Sequence, residues 1–212
     1  MLRQIDFLQP SLLTVAAGIL FTSGWVILGS RSTGFEVFGM HIAPYSPVAH
    51  PVSGLGLGNT AKAMNAVFIG TGWLLSYGTV ACLLSLKPSF ASGSAFFGPL
   101  LVSSGVGAVV CGCWSIDRTV AHGFGYLLAA GVPAIGFLEA GLALRSPDLK
   151  WLSAWLIIAG PTTLCLFALS LISFDPEKAR RGVGYAGLIQ RILLSEVLAT
   201  FAAIGVAAAT RN

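Results

Sequence analysis

The sequence has very few charged residues. Asp, Glu, Lys and Arg together make up 9% of its 212 residues, whereas soluble domains average about 25%. Hydrophobic residues account for 55% of the chain and the mean hydropathy is +0.83, which excludes an ordinary soluble globular domain. The net charge of +4 comes from scattered basic residues that form no basic stripe. We therefore expect membrane lipid as a partner, and no nucleic acid.

Cysteine and the common catalytic motifs are also scarce. The four cysteines lie in apolar stretches and give no disulfide framework. Cys111 and Cys113 are two residues apart, so on a helix they point to different sides and make a poor metal-binding pair. The chain has no HxxxH, HExxH or G-x-S-x-G spacing. We therefore predict no cofactor.

Long uncharged runs are what the sequence does contain. They cover residues 7–30, 63–86, 88–116, 119–138 and 151–174, and a sixth run, 188–209, is interrupted only by Arg191 and Glu196. Each is long enough for the roughly 20 apolar residues that cross a bilayer, and in lipid such runs must be helical. The pattern predicts an all-α integral membrane bundle of six transmembrane helices that forms one domain over residues 1–212. Its helices are expected at about 10–29, 63–86, 95–116, 122–144, 152–174 and 187–209, with a long structured loop between helices 1 and 2.

Six spans would place loops 1–2, 3–4 and 5–6 on the same side of the membrane. The reactive side chains then collect at one end of the bundle: His50, Ser53, Asn65, Asp117, His122 and Arg191. Three interpretations remain open. The cluster is a structural or ligand-binding site, a hydrolytic site, or a metal site. In a hydrolytic site Ser53 would be the nucleophile, His50 or His122 the base and Asp117 the group that orients the base. In a metal site His50, His122 and Asp117 would be the ligands.

The last predicted helix contains two ionisable residues, which are costly in a membrane and usually face the bundle interior. Arg191 lies near the edge and Glu196 close to the middle of the membrane. They are five residues apart and point about 140° away from each other, so they cannot pair well. Glu196 therefore needs another partner. The alternatives are an interhelical hydrogen bond to a Ser, Thr or Trp, or a polar headgroup or proton site.

Three stretches carry a family resemblance. "HPVSGLGLGNTAKAMNAVFIGTGWLL", "GCWSIDRTVAHGFGYLLA" and "GLIQRILLSEVLATFAAIGVAA" resemble, in that order, the bacterial and archaeal membrane family called domain of unknown function nine-nine-eight. That family is distantly similar to the DRAM-type six-helix membrane proteins. The matching positions are Ser53, Gly56, Asn65, Asp117, His122, Gly187 and Arg191. The resemblance implies a six-helix architecture in a bacterial inner membrane, but no established activity. The chain departs from the pattern at Gly54, where relatives often have a polar or acidic residue.

The leading functional hypothesis is a non-catalytic membrane protein that binds a lipid or another apolar ligand, or that serves as a subunit of a membrane assembly. Its ligand-binding residues would be Ser53, Asn65, Asp117, His122, Arg191 and Glu196. The first alternative is an intramembrane lipid hydrolase that uses Ser53, His122 and Asp117. The second, which depends on Glu196, is a transporter of a small solute or one coupled to protons.

Overall fold

The computed structural model describes residues 9–91 and 96–211, and its architecture is all-α. After a 3-10 turn at Pro10–Leu12, the helices are α1 (Leu13–Arg31), α2 (Ala61–Leu86), α3 (Phe97–Cys113), α4 (Thr119–Tyr126), α5 (Val132–Ala143), α6 (Lys150–Ser173), α7 (Pro176–Arg180) and α8 (Ala186–Ala209). A π-helical turn at Leu127–Gly131 joins α4 to α5. Part of the helix that we expected at 95–116 lies outside the described residues, and its described part ends at Cys113.

Five helical segments of the described chain are long and apolar enough to cross a membrane: Pro10–Arg31, Gly58–Ser89, Thr119–Ala143, Pro147–Ser173 and Ala186–Ala209. The segment Phe97–Cys113 is apolar but shorter. Since helices of this length and hydropathy are stable in lipid, where every backbone group must be paired internally, the protein is an integral membrane protein.

Small residues let the helices pack closely, as expected for a membrane bundle. The clearest case is the contact between α2 and α3. There a Cβ added to Gly72 would overlap the carbonyl oxygen of Gly105 and would lie 2.8 Å from the backbone nitrogen of Val109. The two backbones can approach this closely only because neither glycine has a side chain.

The π-helical turn between α4 and α5 is stabilised by two serines of α3. Pro133 has no backbone N–H, so the carbonyl of Ala129 loses its usual donor four residues later. Ser104 Oγ donates to that carbonyl at 2.8 Å, and Ser103 Oγ donates to the carbonyl of Leu128 at 3.1 Å. These bonds satisfy backbone groups that lipid could not pair. They also fix the position of α4 against α3.

The connection between α1 and α2 is folded onto the bundle. It contains an antiparallel hairpin, β1 (Phe35–Val37) and β2 (Met40–Ile42), followed by 3-10 turns at Val52–Gly56 and Gly58–Thr60. Phe35 and Ile42 are 4% and 2% exposed, and every residue of Val52–Gly56 is buried. The apolar residues of this segment therefore extend the hydrophobic core beyond the helices.

Candidate functional site

Ser53 and His122 form a buried, hydrogen-bonded pair. Ser53 lies in the 3-10 turn Val52–Gly56 and His122 in the first turn of α4. His122 Nε2 is 2.9 Å from Ser53 Oγ, and His122 Nδ1 is 2.8 Å from the carbonyl oxygen of Trp114. A carbonyl oxygen can only accept, so Nδ1 carries the hydrogen and Nε2 has a lone pair. The Ser53 hydroxyl therefore donates to Nε2.

The turn that carries Ser53 is held by side chains from two helices. The Val52 backbone N–H donates to Gln190 Oε1 of α8 at 2.6 Å. Asn65 Nδ2 of α2 donates to the carbonyl of Gly56 at 3.4 Å, while Asn65 Oδ1 is buried with no hydrogen-bond partner among the described residues. Asn65 therefore supports the turn, and the structure does not place it beside His122.

The residue after Ser53 is Gly54, and there is no space for a side chain at this position. A Cβ at this position would lie 2.7 Å and 2.8 Å from ring atoms of Phe35 in the hairpin. The polar or acidic residue that the family resemblance leads one to expect here would displace that ring. The hairpin and the Ser53 turn thus pack against each other directly.

A cavity of about 210 Å³ opens beside the Ser53–His122 pair, and we call it the large cavity. Its polar lining includes Tyr126, Ser170 and Gln190, besides Ser53 and His122. Its apolar lining includes Phe38, Ile116, Leu171 and Phe174. The walls thus come from the hairpin, the 3–4 turn, α4, α6 and α8.

A second cavity of about 40 Å³, the small cavity, lies between α1, α2, α3 and α8. Ser53, Tyr126 and Gln190 line both cavities, and the rest of the small cavity is mainly apolar. These three polar side chains therefore form the boundary between the large cavity and the small cavity. The hydroxyls of Tyr126 and Ser170, 2.7 Å apart, share a hydrogen bond at this boundary.

The prediction that Asp117 orients the histidine is wrong. Asp117 is exposed, and the hydrogen bond at His122 Nδ1 goes to the carbonyl of Trp114. The reason is local: α3 ends at Cys113, and the chain then turns so that the Trp114 carbonyl meets the imidazole before Asp117 is reached. A backbone carbonyl, and not a carboxylate, orients the histidine.

His50 is held by the backbone and does not reach Ser53. Its Nε2 lies 2.8 Å from the Ala179 carbonyl, and its Nδ1 accepts from the Ser46 N–H at 2.8 Å. Burial lowers the pKa of His50, and the nearby Arg191 charge adds to this, against the opposing effect of the Ala179 carbonyl. The structure does not bring together the proposed metal ligands His50, His122 and Asp117. Within residues 9–91 and 96–211 no three His, Cys, Asp or Glu side chains form a metal-binding group.

Arg191 anchors the connection between α1 and α2 to α8. Its guanidinium donates to the carbonyls of Pro47 and His50 at 2.5 Å and 3.1 Å, and to the Tyr45 hydroxyl at 2.5 Å. Burial raises the pKa of Tyr45, although the Arg191 charge and hydrogen bond oppose the rise. Arg191 thus has a structural role and lines neither cavity, and ligand binding by this residue stays a prediction.

Glu196 also lines neither cavity, and it contacts α6. Its two carboxylate oxygens accept from Thr163 Oγ1 at 2.6 Å and from Thr200 Oγ1 at 3.2 Å. Trp155 Nε1 donates to Thr200 Oγ1 at 3.1 Å. Glu196 thus makes an interhelical hydrogen bond to a threonine, Thr163 of α6, which was one of the two alternatives for this residue. Trp155 reaches it only indirectly, through Thr200.

Sequence reasoning missed Gln190, Tyr126, Ser170 and the carbonyl of Trp114. The first three are uncharged polar residues near the ends of apolar helices, where they draw little attention beside Asp, His and Arg. A count of all polar side chains in the turns nearest one membrane side would have found them. The carbonyl gives no signal in the sequence, because its direction depends on where α3 ends.

No protein-family model, curated protein or solved structure matches this chain. Function must therefore be inferred from the site itself. The site contains a buried hydroxyl that is hydrogen-bonded to an imidazole, further hydrogen-bonding groups in Gln190, Tyr126 and Ser170, and apolar walls. Such a site can bind an amphipathic molecule with its polar part at the pair.

Proposed function

We propose that this protein binds a membrane lipid, or a similar amphipathic ligand, in the large cavity. The observation that carries the proposal is the juxtaposition of apolar walls and a small polar cluster in one cavity of about 210 Å³. Ligand sites are typically apolar with a few well-placed polar groups. The polar group of the ligand would bind at Ser53, His122 and Gln190.

The size of the cavity indicates which part of a lipid it accepts. Small-molecule pockets usually measure about 300–1,000 Å³, and an apolar cavity of about 150 Å³ holds benzene. At about 210 Å³ the large cavity accommodates a headgroup linkage with a short length of chain. The remainder of the lipid would extend past the rim, where Phe38 and Leu171 are 48% and 54% exposed.

Phe38 supports a ligand-contacting role for the rim. It has φ +53° in the two-residue turn between β1 and β2, followed by Gly39 at φ +72°. That left-handed conformation suits Gly, Asn or Asp and is an outlier for a bulky aromatic residue. Strain of this kind concentrates at functional sites, and Phe38 lines the large cavity.

We further propose that α3 crosses the bilayer, which would give six spanning helices. Its 17 described residues extend over about 26 Å, at the short end of what spans a bilayer. Ser53 precedes α2 and contacts His122 at the start of α4, so α2 and α3 must run in opposite directions between these points. We place the protein in the inner membrane of a bacterial cell, in keeping with the family resemblance.

The direct test is photolabelling with a phosphatidylglycerol that carries a diazirine in the acyl chain near the ester. The full chain is reconstituted in vesicles of phosphatidylethanolamine and phosphatidylglycerol, and labelled peptides are mapped by mass spectrometry. We expect labels to concentrate on peptides that contain Phe38, Ile116 and Leu171. A label spread evenly over the exposed apolar residues would contradict the proposal.

A matched pair of variants sharpens the test. Gly123 lines the large cavity, and a Cβ there would have no atom within 4 Å, so Gly123→Phe adds bulk at the wall without a backbone clash. Val120→Phe adds bulk on the same helix at a position that is 89% exposed. We expect Gly123→Phe to remove the concentrated labelling and Val120→Phe to preserve it. Equal labelling of the two variants would refute a ligand site in the large cavity.

A further inference from the structure

We propose that Ser53 and His122 are the nucleophile and general base of an acyl-transfer site that acts on a carboxylic ester of an amphipathic lipid. This inference rests on the proposed function, because the substrate ester would lie in the same large cavity. The Trp114 carbonyl, and not Asp117, orients His122, and Asp117 acts on the imidazole only through its charge.

The geometry of the pair is that of an activated nucleophile. Such sites place the nucleophile about 2.6–3.2 Å from a base that is itself oriented by a third group. Here Ser53 Oγ lies 2.9 Å from His122 Nε2, and the Trp114 carbonyl fixes the opposite nitrogen at 2.8 Å. The tautomer that this carbonyl imposes leaves Nε2 ready to take the hydroxyl proton.

The burial of Ser53 and His122 favours acyl transfer over a role in which the Ser53 hydroxyl only binds water. Ser53 and His122 are 5% and 6% exposed, yet both line the large cavity. A substrate that fills the cavity meets the hydroxyl with bulk water excluded, where hydrogen bonds to developing charge are strongest. His50, in contrast, has both ring nitrogens bonded to backbone groups and lines neither cavity.

The reaction divides into two balanced steps. In the first, Ser53 Oγ bonds to the ester carbonyl carbon while its proton passes to His122 Nε2. The carbon–oxygen bond to the alcohol then breaks, and the alkoxide takes the proton from His122 and leaves as the alcohol. In the second step, water or an acceptor lipid alcohol loses a proton to His122 and attacks the acyl-Ser53 carbonyl. The bond to Ser53 Oγ breaks, and the proton returns to Ser53.

In this proposal the Gln190 amide has the role of donor to the oxyanion of the tetrahedral intermediate. Its Oε1 accepts from the Val52 N–H at 2.6 Å, which identifies the other arm of the amide as the NH₂ group. Gln190 lines the large cavity together with Ser53. Gln190→Glu keeps an acceptor for Val52 and removes the donor, so it separates the support of the turn from the stabilisation of charge. Removal of one such donor costs about 10²–10³-fold in rate.

The test uses an octyl fluorophosphonate, which bonds covalently to an activated serine with loss of fluoride, on the full chain in detergent. We expect one label, on the peptide that contains Ser53, and none on Ser53→Ala. His122→Gln should slow labelling by about 10²–10⁴-fold. The matched controls are Ser30→Ala, whose exposed hydroxyl bonds to a backbone carbonyl of its own helix and lines neither cavity, and His41→Gln on the exposed side of the hairpin. Both should label at the wild-type rate.

Two further measurements keep the outcome decisive if His122→Gln fails to fold. The labelling rate of the wild-type chain should rise with pH along a single titration curve, as the imidazole loses its proton. Hydrolysis of 4-nitrophenyl octanoate should be lost in Ser53→Ala and reduced in Gln190→Glu.

The results separate this inference from the proposed function. Wild-type chain that leaves Ser53 unlabelled, or labels it at a rate independent of pH, overturns the acyl-transfer site. If lipid photolabelling of the large cavity persists in that case, ligand binding stands without catalysis. If the photolabelling is also lost, both proposals fail.

Discussion

Gly187→Ala should release the connection between α1 and α2 from α8. A Cβ at position 187 would overlap the carbonyl oxygen of His50, and it would lie 2.6 Å from the Pro47 carbonyl oxygen and 2.7 Å from the His50 carbonyl carbon. The obstacles are backbone atoms, which cannot rotate away as a flexible side chain can. Residues 47–50 must therefore shift away from the helix.

The expected magnitude follows from two destabilising contributions and one that opposes them. Overpacking a close contact costs about 1–3 kcal/mol. The shift also weakens the bonds from Arg191 to the same two carbonyls of Pro47 and His50, and hydrogen bonds to a charged group contribute about 1.5–3 kcal/mol each. Replacing glycine in a helix returns up to about 1 kcal/mol. We therefore expect the free energy of opening of this segment to fall by about 2–4 kcal/mol.

The rate of chymotrypsin cleavage after Tyr45 measures this opening, because Tyr45 is only 9% exposed and can be cleaved only after the segment unfolds locally. When opening and closing are fast relative to cleavage, the rate follows the population of the open form. A change of about 2–4 kcal/mol corresponds to cleavage after Tyr45 that is about 30- to 700-fold faster.

The control for this experiment is Gly18→Ala in α1, where a Cβ would make an ordinary contact of 3.8 Å with Leu198 Cβ. We expect it to leave the cleavage rate within about twofold of wild type, since a helical alanine is slightly favoured over glycine. A Gly187→Ala chain that is cleaved no faster than Gly18→Ala would refute the close seating of residues 47–50 on α8.

Three further outcomes follow from the structure. Because burial lowers the pKa of His50, its stabilising contribution is complete above the ordinary value of about 6.5 and is lost as the pH falls through the lower folded pKa. Cleavage after Tyr45, measured relative to the exposed Phe38 site, should therefore accelerate on acidification, and His50→Gln should flatten that response. Phe38→Asn should raise the melting temperature in detergent, because it relieves about 1–3 kcal/mol of left-handed strain, and should weaken lipid photolabelling; unchanged labelling would remove Phe38 from the ligand site. Glu196→Ala should lower the free energy of unfolding by about 1–3 kcal/mol, since it leaves buried hydroxyls unpaired, and Glu196→Gln should lower it by less. Neither variant should alter lipid photolabelling. Loss of labelling in Glu196→Gln would place this residue in the ligand site.

The membrane character of this protein was predictable from local composition. Uncharged runs of about 20 residues have one stable form in lipid, so the positions of Arg191 and Glu196 within such a run already required internal partners. The hydrogen bond between Glu196 and Thr163 was within reach of sequence reasoning as a type of contact. The helix that supplies this partner could not be predicted from the sequence, because interhelical packing depends on every small residue along both helices.

The sequence also predicted that Ser53 and His122 lie on one side of the membrane, since that follows from the order of the six predicted crossings. Only the tertiary structure decided that they touch, that His50 is occupied by the backbone, and that Asp117 is not the orienting group. Those outcomes depend on where α3 ends and on the direction of the Trp114 carbonyl. Backbone direction at a helix end is determined by packing around it, and a side-chain pattern carries no record of it.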